Sequence, residues 1–173
     1  TVEVLKAAEN ADIILGAERM IESFDPSFEK KPYYQASLII PYLLEVSEKY
    51  KGPGSLKTVI LFSGDSGFYS GSDKLYQELK KAADDKKIDA SIRILPGISS
   101  VSYMASCIGE SWHDAQILSM HGKEIKDLKG KIKSHRKTFM LVSGAGDVRK
   151  TGRLLKDAGL KNVRIAAGFK RFI

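Results

Sequence analysis

The strongest constraint on the fold is a predicted strand that runs directly into a glycine-rich loop and then into a helix. Residues 58–62 are five β-prone residues in succession, and the loop that follows them holds Gly64, Gly67 and Gly71. An amphipathic helix is predicted from Ser72 onward. Glycines at the carboxyl end of a strand let backbone groups approach a ligand closely, and open α/β sheets bind ligands at such ends. This loop is the first candidate for a small-molecule site, although a simple tight turn explains the glycines equally well.

The rest of the sequence alternates predicted strands with predicted helices. The strands are expected at 12–15, 58–62, 91–95, 116–120, 138–142 and 163–167. The helices are expected at 1–10, 37–50, 72–83, 99–107 and 147–158. Alternation at this spacing is typical of an α/β fold with parallel sheets. A boundary within 109–114 divides the chain into an N-terminal α/β domain, 1–112, and a C-terminal α/β domain, 113–173.

Composition restricts the class of protein. The 173 residues are 43% hydrophobic and 28% charged, which is enough to bury an ordinary core. No apolar run approaches the roughly 20 residues that span a bilayer, so no membrane partner is expected. The first residues show no signal-peptide pattern, and Cys107 is the sole cysteine, so we expect a cytoplasmic protein without an internal disulfide.

The formal net charge of +7 raises the question of an anionic partner. We interpret most of the lysines as solvated surface residues. No nucleic-acid-binding signature accompanies the charge, so nucleic acid is not predicted as a partner. A polycarboxylate or phosphate-bearing ligand is the better functional interpretation.

Two further strand ends carry small polar residues. Residues 95–100 read Leu-Pro-Gly-Ile-Ser-Ser, and residues 142–146 read Val-Ser-Gly-Ala-Gly. Strand ends of this kind at one sheet edge suit a ligand that lies across the edge. Ser99 is alternatively only the N-cap of the helix that follows.

The four residues Gly64-Asp65-Ser66-Gly67 also match a Gly-Asp-Ser serine esterase, in which the serine would be the nucleophile. That chemistry needs a histidine base and a group that orients it. None of the three histidines, at positions 113, 121 and 135, has an aspartate three residues before it. No Gly-Lys-Ser/Thr phosphate loop is present, and no second histidine or cysteine lies at metal-ligand spacing, so a metal site is not predicted.

The combined motifs resemble the tetrapyrrole (corrin/porphyrin) methylases, the S-adenosylmethionine-dependent enzymes of corrin and sirohaem synthesis. The matching phrases are Ser-Gly-Asp-Ser-Gly-Phe-Tyr at 63–69 and Pro-Gly-Ile-Ser-Ser at 96–100. The phrases at 11–19, 98–103 and 119–122 are similar to one branch of that family. This branch contains the precorrin-6Y and cobalt-precorrin-7 C5-methyltransferases of cobalamin biosynthesis.

The resemblance implies two small α/β domains with a ligand cleft between them and S-adenosyl-L-methionine as cofactor. By their place in the motifs, nine residues would contact the cofactor: Ser63, Gly64, Asp65, Phe68, Ser99, Ser100, Ser143, Ala166 and Ala167. His121 would contact the substrate. The nucleophile would be an electron-rich carbon of the substrate macrocycle, and no catalytic residue is singled out.

The resemblance also bears on substrate and partners. It implies a tetrapyrrole polycarboxylate as substrate, a homodimer, and a separate decarboxylating C15-methyltransferase as a candidate partner. Family members usually open with a strand and a Gly-x-Gly-Pro-Gly loop, and Thr1–Glu3 resembles the helix after that loop. We therefore expect structure before Thr1 and after Ile173. The alternatives are a methylase of another ring carbon, the Gly-Asp-Ser esterase, and a non-catalytic α/β module that binds a small molecule or a partner. The sequence does not separate cobalt-containing from metal-free substrates.

Overall fold

The chain folds into two compact units, each containing a parallel β-sheet. In the computed structural model, the described residues are 1–50, 52, 54–120, 125–160 and 162–168. Unit 1 is Thr1–Ser99 and unit 2 is Ser100–Ile173. The predicted α/β class with parallel strands is confirmed. The chain passes from unit 1 to unit 2 between Ser99 and Ser100. The domain boundary expected near residue 112 stays a prediction.

The sheet of unit 1 has the strand order β2-β1-β3 with all strands parallel. These strands are β1 (Ile13–Gly16), β2 (Glu29–Lys31) and β3 (Thr58–Leu61). The central strand β1 is buried along its whole length. Because β1 and β3 are parallel and end in register, with Gly16 opposite Leu61, their carboxyl ends lie together at one edge.

Alternate side chains of β1 enter two separate hydrophobic clusters, as the two-residue period of a strand requires. Ile13 and Leu15 belong to one cluster and Ile14 to the other. Helices α3 (Ala36–Lys49) and α4 (Ser72–Asp84) contribute to the first cluster, and α1 (Val2–Glu9) and α2 (Glu18–Ile21) to the second. The sheet is therefore covered by helices on both faces, which is the environment that its continuous apolar strand β1 predicts.

Unit 2 contains a β-α-β-α succession preceded by a helix. Its elements are α5 (Ser100–Ile108), β4 (Gln116–Ser119), α6 (Leu128–Lys133), β5 (Thr138–Leu141) and α7 (Ala145–Asp157). Strands β4 and β5 are parallel, with Gln116 opposite Thr138.

Helix α7 ends where the sequence predicts. Gly159 has a φ of +68° at the C′ position, and its N–H donates to the Lys156 carbonyl at 2.9 Å. The N–H of Leu160 donates to the Leu155 carbonyl at 3.1 Å, which completes a Schellman motif.

Two predicted strands are wrong. Residues 91–95 and 163–167 are irregular, because no segment among the described residues pairs with either of them. Ile92 nevertheless packs against the first cluster of unit 1, which explains the apolar pattern at 91–95. The helix expected at 37–50 is α3, which begins at Ala36 and continues through Pro41.

Candidate functional site

The loop that follows β3, residues 62–71, is fixed by hydrogen bonds to Asp65. Its side-chain Oδ1 accepts from the N–H of Gly67 at 2.8 Å, and its carbonyl accepts from the N–H of Phe68 at 3.1 Å. Gly64, the residue before it, has a φ of +81°, a conformation that favours glycine. Asp65 therefore folds the loop back on itself immediately beyond the carboxyl end of the strand.

Gly97 brings the second predicted ligand segment against this loop. A Cβ atom at Gly97 would collide with the carbonyl oxygen of Gly64 and lie 2.8 Å from its carbon. The hydroxyl of Ser66 donates to the carbonyl of Leu95 at 3.5 Å across the same junction. The structure thus confirms that residues 62–71 and 95–98 lie together, as the two motifs predict, and it identifies Gly97 as the residue that permits it.

Four predicted cofactor residues lie on the first segment and one at the end of the second. Ser63 and Gly64 are exposed, Asp65 and Phe68 are half-buried, and Ser99 is buried. Gly97 is not among the nine predicted cofactor residues, although a Pro-Gly dipeptide is a signal for a position where backbones approach closely.

Backbone groups dominate the chemistry of the first segment. No hydrogen bond within the described residues uses the N–H of Gly64, Asp65 or Ser66. The segment contains one carboxylate, Asp65, and neither lysine nor arginine. The free amides can donate to hydroxyl or carboxylate oxygens of a ligand, and the Asp65 carboxylate can accept from its hydroxyl or cationic groups. The negative charge of Asp65, with no lysine or arginine beside it, disfavours a ligand that presents phosphate.

An exposed aromatic residue completes the loop. The ring of Tyr69 packs edge-to-face on that of Phe68, with ring centroids 5.0 Å apart. Tyr69 has a φ of +50° and is 66% exposed. A bulky residue in the left-handed region is uncommon, so the loop holds this ring at some conformational cost.

The other predicted cofactor residues belong to unit 2. Ser100 is the first residue of α5, and Ser143 follows β5, where its N–H donates to Oδ2 of Asp147 at 2.8 Å. Ala166 and Ala167 are exposed in the irregular stretch 163–168. Their participation in one site with the unit 1 residues stays a prediction, and His121 lies outside the described residues.

The geometry does not favour a serine hydrolase. The Ser66 hydroxyl donates to a backbone carbonyl, as described above. The two described histidines are each bonded to a neighbouring serine, His113 to Ser111 at 2.6 Å and His135 to Ser134 at 2.9 Å. Across the described ranges, no group of three metal-ligating side chains occurs and no helix is long and apolar enough to cross a membrane.

Comparison with known proteins identifies the family. Residues 1–170 match the family model of the tetrapyrrole (corrin/porphyrin) methylases. The chain belongs to the tetrapyrrole methylase family. The match covers both units, so the two loops described above are features of a methylase domain.

Individual relatives of this tetrapyrrole methylase carry related names. It is 34% identical over 145 residues to a probable cobalt-precorrin-7 C(5)-methyltransferase of Methanocaldococcus jannaschii, with 82% of this chain and 64% of that protein covered. The cobalt-precorrin-7 C(5)-methyltransferase of Salmonella typhimurium is 27% identical over 160 residues, covering 92% and 72%. A probable cobalt-factor III C(17)-methyltransferase of Methanothermobacter thermautotrophicus is 23% identical over 148 residues, covering 83% and 40%.

A solved structure supports the fold of the tetrapyrrole methylase. The crystal structure of the methyltransferase CobJ matches with a TM-score of 0.56 and 23% identity, over 78% of this chain and 55% of that one. The chain thus spans 64% of the Methanocaldococcus relative and about half of the CobJ chain.

Proposed function

We propose that this tetrapyrrole methylase transfers a methyl group from S-adenosyl-L-methionine to C5 of a corrin precursor, cobalt-precorrin-7 or precorrin-6Y, in cobalamin biosynthesis. The observation that carries the proposal is the junction of Gly97 with Gly64 at the carboxyl end of β3. It joins two family motifs into one surface with free backbone donors. The family match and the names of the relatives supply the reaction class.

The residues present fit this cofactor. S-adenosylmethionine carries a sulfonium, an ammonium, a carboxylate and ribose hydroxyls, and the 62–71 loop offers one carboxylate, unused amide donors and no competing cation. Ser63, Gly64, Asp65, Phe68 and Ser99 would hold it from unit 1. We infer that Ser100, Ser143, Ala166 and Ala167 add contacts from unit 2.

The cofactor supplies an electrophilic methyl group, and the chain supplies its placement. The hydrogen bonds of Asp65 and the close packing of Gly97 fix the backbone around Gly64 before any ligand binds. Such preorganisation contributes to catalysis by orienting the reacting atoms, where effective molarities reach about 10⁵ M or more. Since the substrate carbon is the nucleophile, the site needs no activated side chain, which agrees with the structural role of the Ser66 hydroxyl.

The proposed assignment of methyl transfer to C5 depends on the names of the relatives. The two matches at 34% and 27% identity are named for C5, and the match at 23% is named for C17. A methylase of another ring carbon is therefore the nearest alternative. We include His121 as a substrate contact because it lies in one of the phrases that are similar to the C5 branch.

Calorimetry with S-adenosylhomocysteine tests cofactor binding directly. The proposal predicts binding in the micromolar range, and no heat at high micromolar ligand would contradict it. Gly97→Ala is expected to weaken binding by about tenfold or more, because either loop must move to accept the Cβ. Gly146→Ala is the matched control, since a Cβ at Gly146 meets no atom within 4 Å.

Several wider features belong to the same proposal. They are a tetrapyrrole polycarboxylate substrate, a homodimer, a decarboxylating C15-methyltransferase as partner, and a cytoplasmic location. Size-exclusion chromatography with light scattering tests the dimer, and a monomer at micromolar concentration would contradict it.

A further inference from the structure

The net positive charge of the protein comes from unit 2 alone. Unit 1 contains 13 lysines and arginines against 15 acidic residues, a net charge of −2, whereas unit 2 contains 15 against 6, a net charge of +9. A general lysine-rich composition would raise the charge of both units. The asymmetry therefore indicates a local cause in unit 2.

Helix α7 carries part of this charge on a single stripe, which we call the α7 basic stripe: Arg149, Arg153 and Lys156. These residues recur at helical positions i, i+4 and i+7, so they lie on one side of the helix and span about 10 Å. All three are exposed.

The opposite side of α7 packs into unit 2. Leu155 is buried, and the hydroxyl of Thr151 lies 3.7 Å from the sulfur of Met120. Because Thr151 and Leu155 each lie two residues from a member of the stripe, they project from roughly the far side of the helix. The α7 basic stripe consequently lies on the side of the helix opposite Thr151 and Leu155.

The stripe has no neutralising partner within the described residues. No ion pair there involves Arg149, Arg153 or Lys156. The nearby Asp147 accepts from the N–H of Ser143, just before the helix begins. Asp157, four residues after Arg153, flanks the stripe without forming an ion pair with it, so the stripe keeps an excess of positive charge. A local excess of one sign attracts an oppositely charged ligand and raises its association rate.

We propose that the α7 basic stripe attracts the carboxylates of the tetrapyrrole substrate and so accelerates its association with unit 2. This inference rests on the proposed function, which requires a substrate with several carboxylates. Arginine suits the role because its planar guanidinium binds carboxylates in pairs of hydrogen bonds. Nucleic acid is the competing polyanion, and the charge pattern alone would also attract it.

The test compares two double variants that remove the same charge. Arg149→Gln/Arg153→Gln neutralises the stripe, and Lys80→Gln/Lys81→Gln neutralises two exposed lysines of unit 1. The probe is uroporphyrin, a fluorescent tetrapyrrole polycarboxylate, and its association rate and Kd are measured by stopped-flow and equilibrium fluorescence. At low salt the α7 variant should bind about three- to tenfold more weakly, mainly through a slower association rate, and the Lys80/Lys81 variant should bind as the parent does.

Salt and a second probe complete the experiment. The difference between parent and α7 variant should disappear near 1 M salt, where screening acts over about 3 Å. An equal loss in both double variants, or no loss in the α7 variant, would overturn the proposal. So would tighter, stripe-dependent binding of a single-stranded oligonucleotide than of uroporphyrin. S-adenosylhomocysteine binding should be the same in all variants, and its absence in the parent would contradict the proposed function instead of the role of the stripe.

Discussion

Gly97 lies so close to the carbonyl group of Gly64 that no side chain of any size fits between them. This relationship joins the loop after β3 to the segment at 95–98, and both lie within the residues that match the tetrapyrrole methylase family. Gly97→Ala should therefore lower the free energy of unfolding by about 1–3 kcal/mol, because overpacking forces backbone shifts. This loss comes in addition to the weaker ligand binding.

Thermal or urea unfolding measures that change. The Gly146→Ala control should be neutral or more stable by up to about 1 kcal/mol, since alanine is favoured over glycine within a helix. Unchanged stability and unchanged S-adenosylhomocysteine binding in Gly97→Ala would mean that the junction is looser than described.

Removing the Ser66 hydroxyl distinguishes a loop residue from a nucleophile. Ser66→Ala loses one 3.5 Å hydrogen bond to the Leu95 carbonyl, so S-adenosylhomocysteine affinity should stay within about threefold of the parent. Neither protein should hydrolyse a p-nitrophenyl ester. Ester turnover in the parent that Ser66→Ala abolishes would restore the serine esterase alternative.

The end of α7 depends on a left-handed glycine. Gly159→Ala should destabilise the protein by about 1 kcal/mol, because the φ of +68° is costly for alanine. Gly152→Ala in the same helix is the matched control, since its Cβ meets nothing within 4 Å and its backbone is helical. Denaturant unfolding should separate the two variants, and equal stabilities would argue against the Schellman motif.

An ion pair in unit 2 makes acid stability depend on Asp114. The hydrogen bond from Nζ of Lys137, 2.7 Å from Oδ1, is the main cause that holds the pKa of Asp114 below its ordinary value of 3.8. Because the pKa is lower in the folded state, the contribution to stability is present above about pH 4. It is lost as the pH falls through the folded-state pKa.

Acid titration of unfolding tests this contribution. Asp114→Asn should be less stable than the parent near neutral pH, and the difference should shrink as the pH falls below about 4. Asp89→Asn, at an exposed aspartate of unit 1, serves as the control. A difference between parent and Asp114→Asn that stays constant from neutral pH to pH 2 would rule out the ion pair as its source.

The elements that depend on residues close together in the sequence were predicted correctly. The strand expected at 12–15 and the helices expected at 1–10 and 147–158 each follow from residues within one turn or strand, and they occur as β1, α1 and α7. The Thr1 side chain accepts from the N–H of Val4 at 3.4 Å, as an N-cap does. The two motif segments were also correctly expected to lie together, although 91–95 is not the strand on which that expectation rested.

What depends on partners distant in the sequence was harder to predict. Residues 91–95 have a strand-like pattern, but strand formation needs a neighbouring backbone that the pattern does not specify. Strand β2 was missed because Glu29–Lys31 is charged and short, and it is stabilised as an edge strand by pairing with β1. The close approach of Gly97 to Gly64 is likewise a tertiary contact, visible in the sequence only as a Pro-Gly dipeptide.

The central claim is methyl transfer to C5 of a corrin precursor. Incubation of the protein with cobalt-precorrin-7 and S-adenosylmethionine carrying a ¹³C-labelled methyl group, followed by NMR of the isolated tetrapyrrole, measures it most directly. The account predicts a single new labelled methyl resonance, correlated with C5 of the ring. Label at another ring carbon would contradict the C5 assignment, and an unlabelled tetrapyrrole would contradict the proposed methyl transfer.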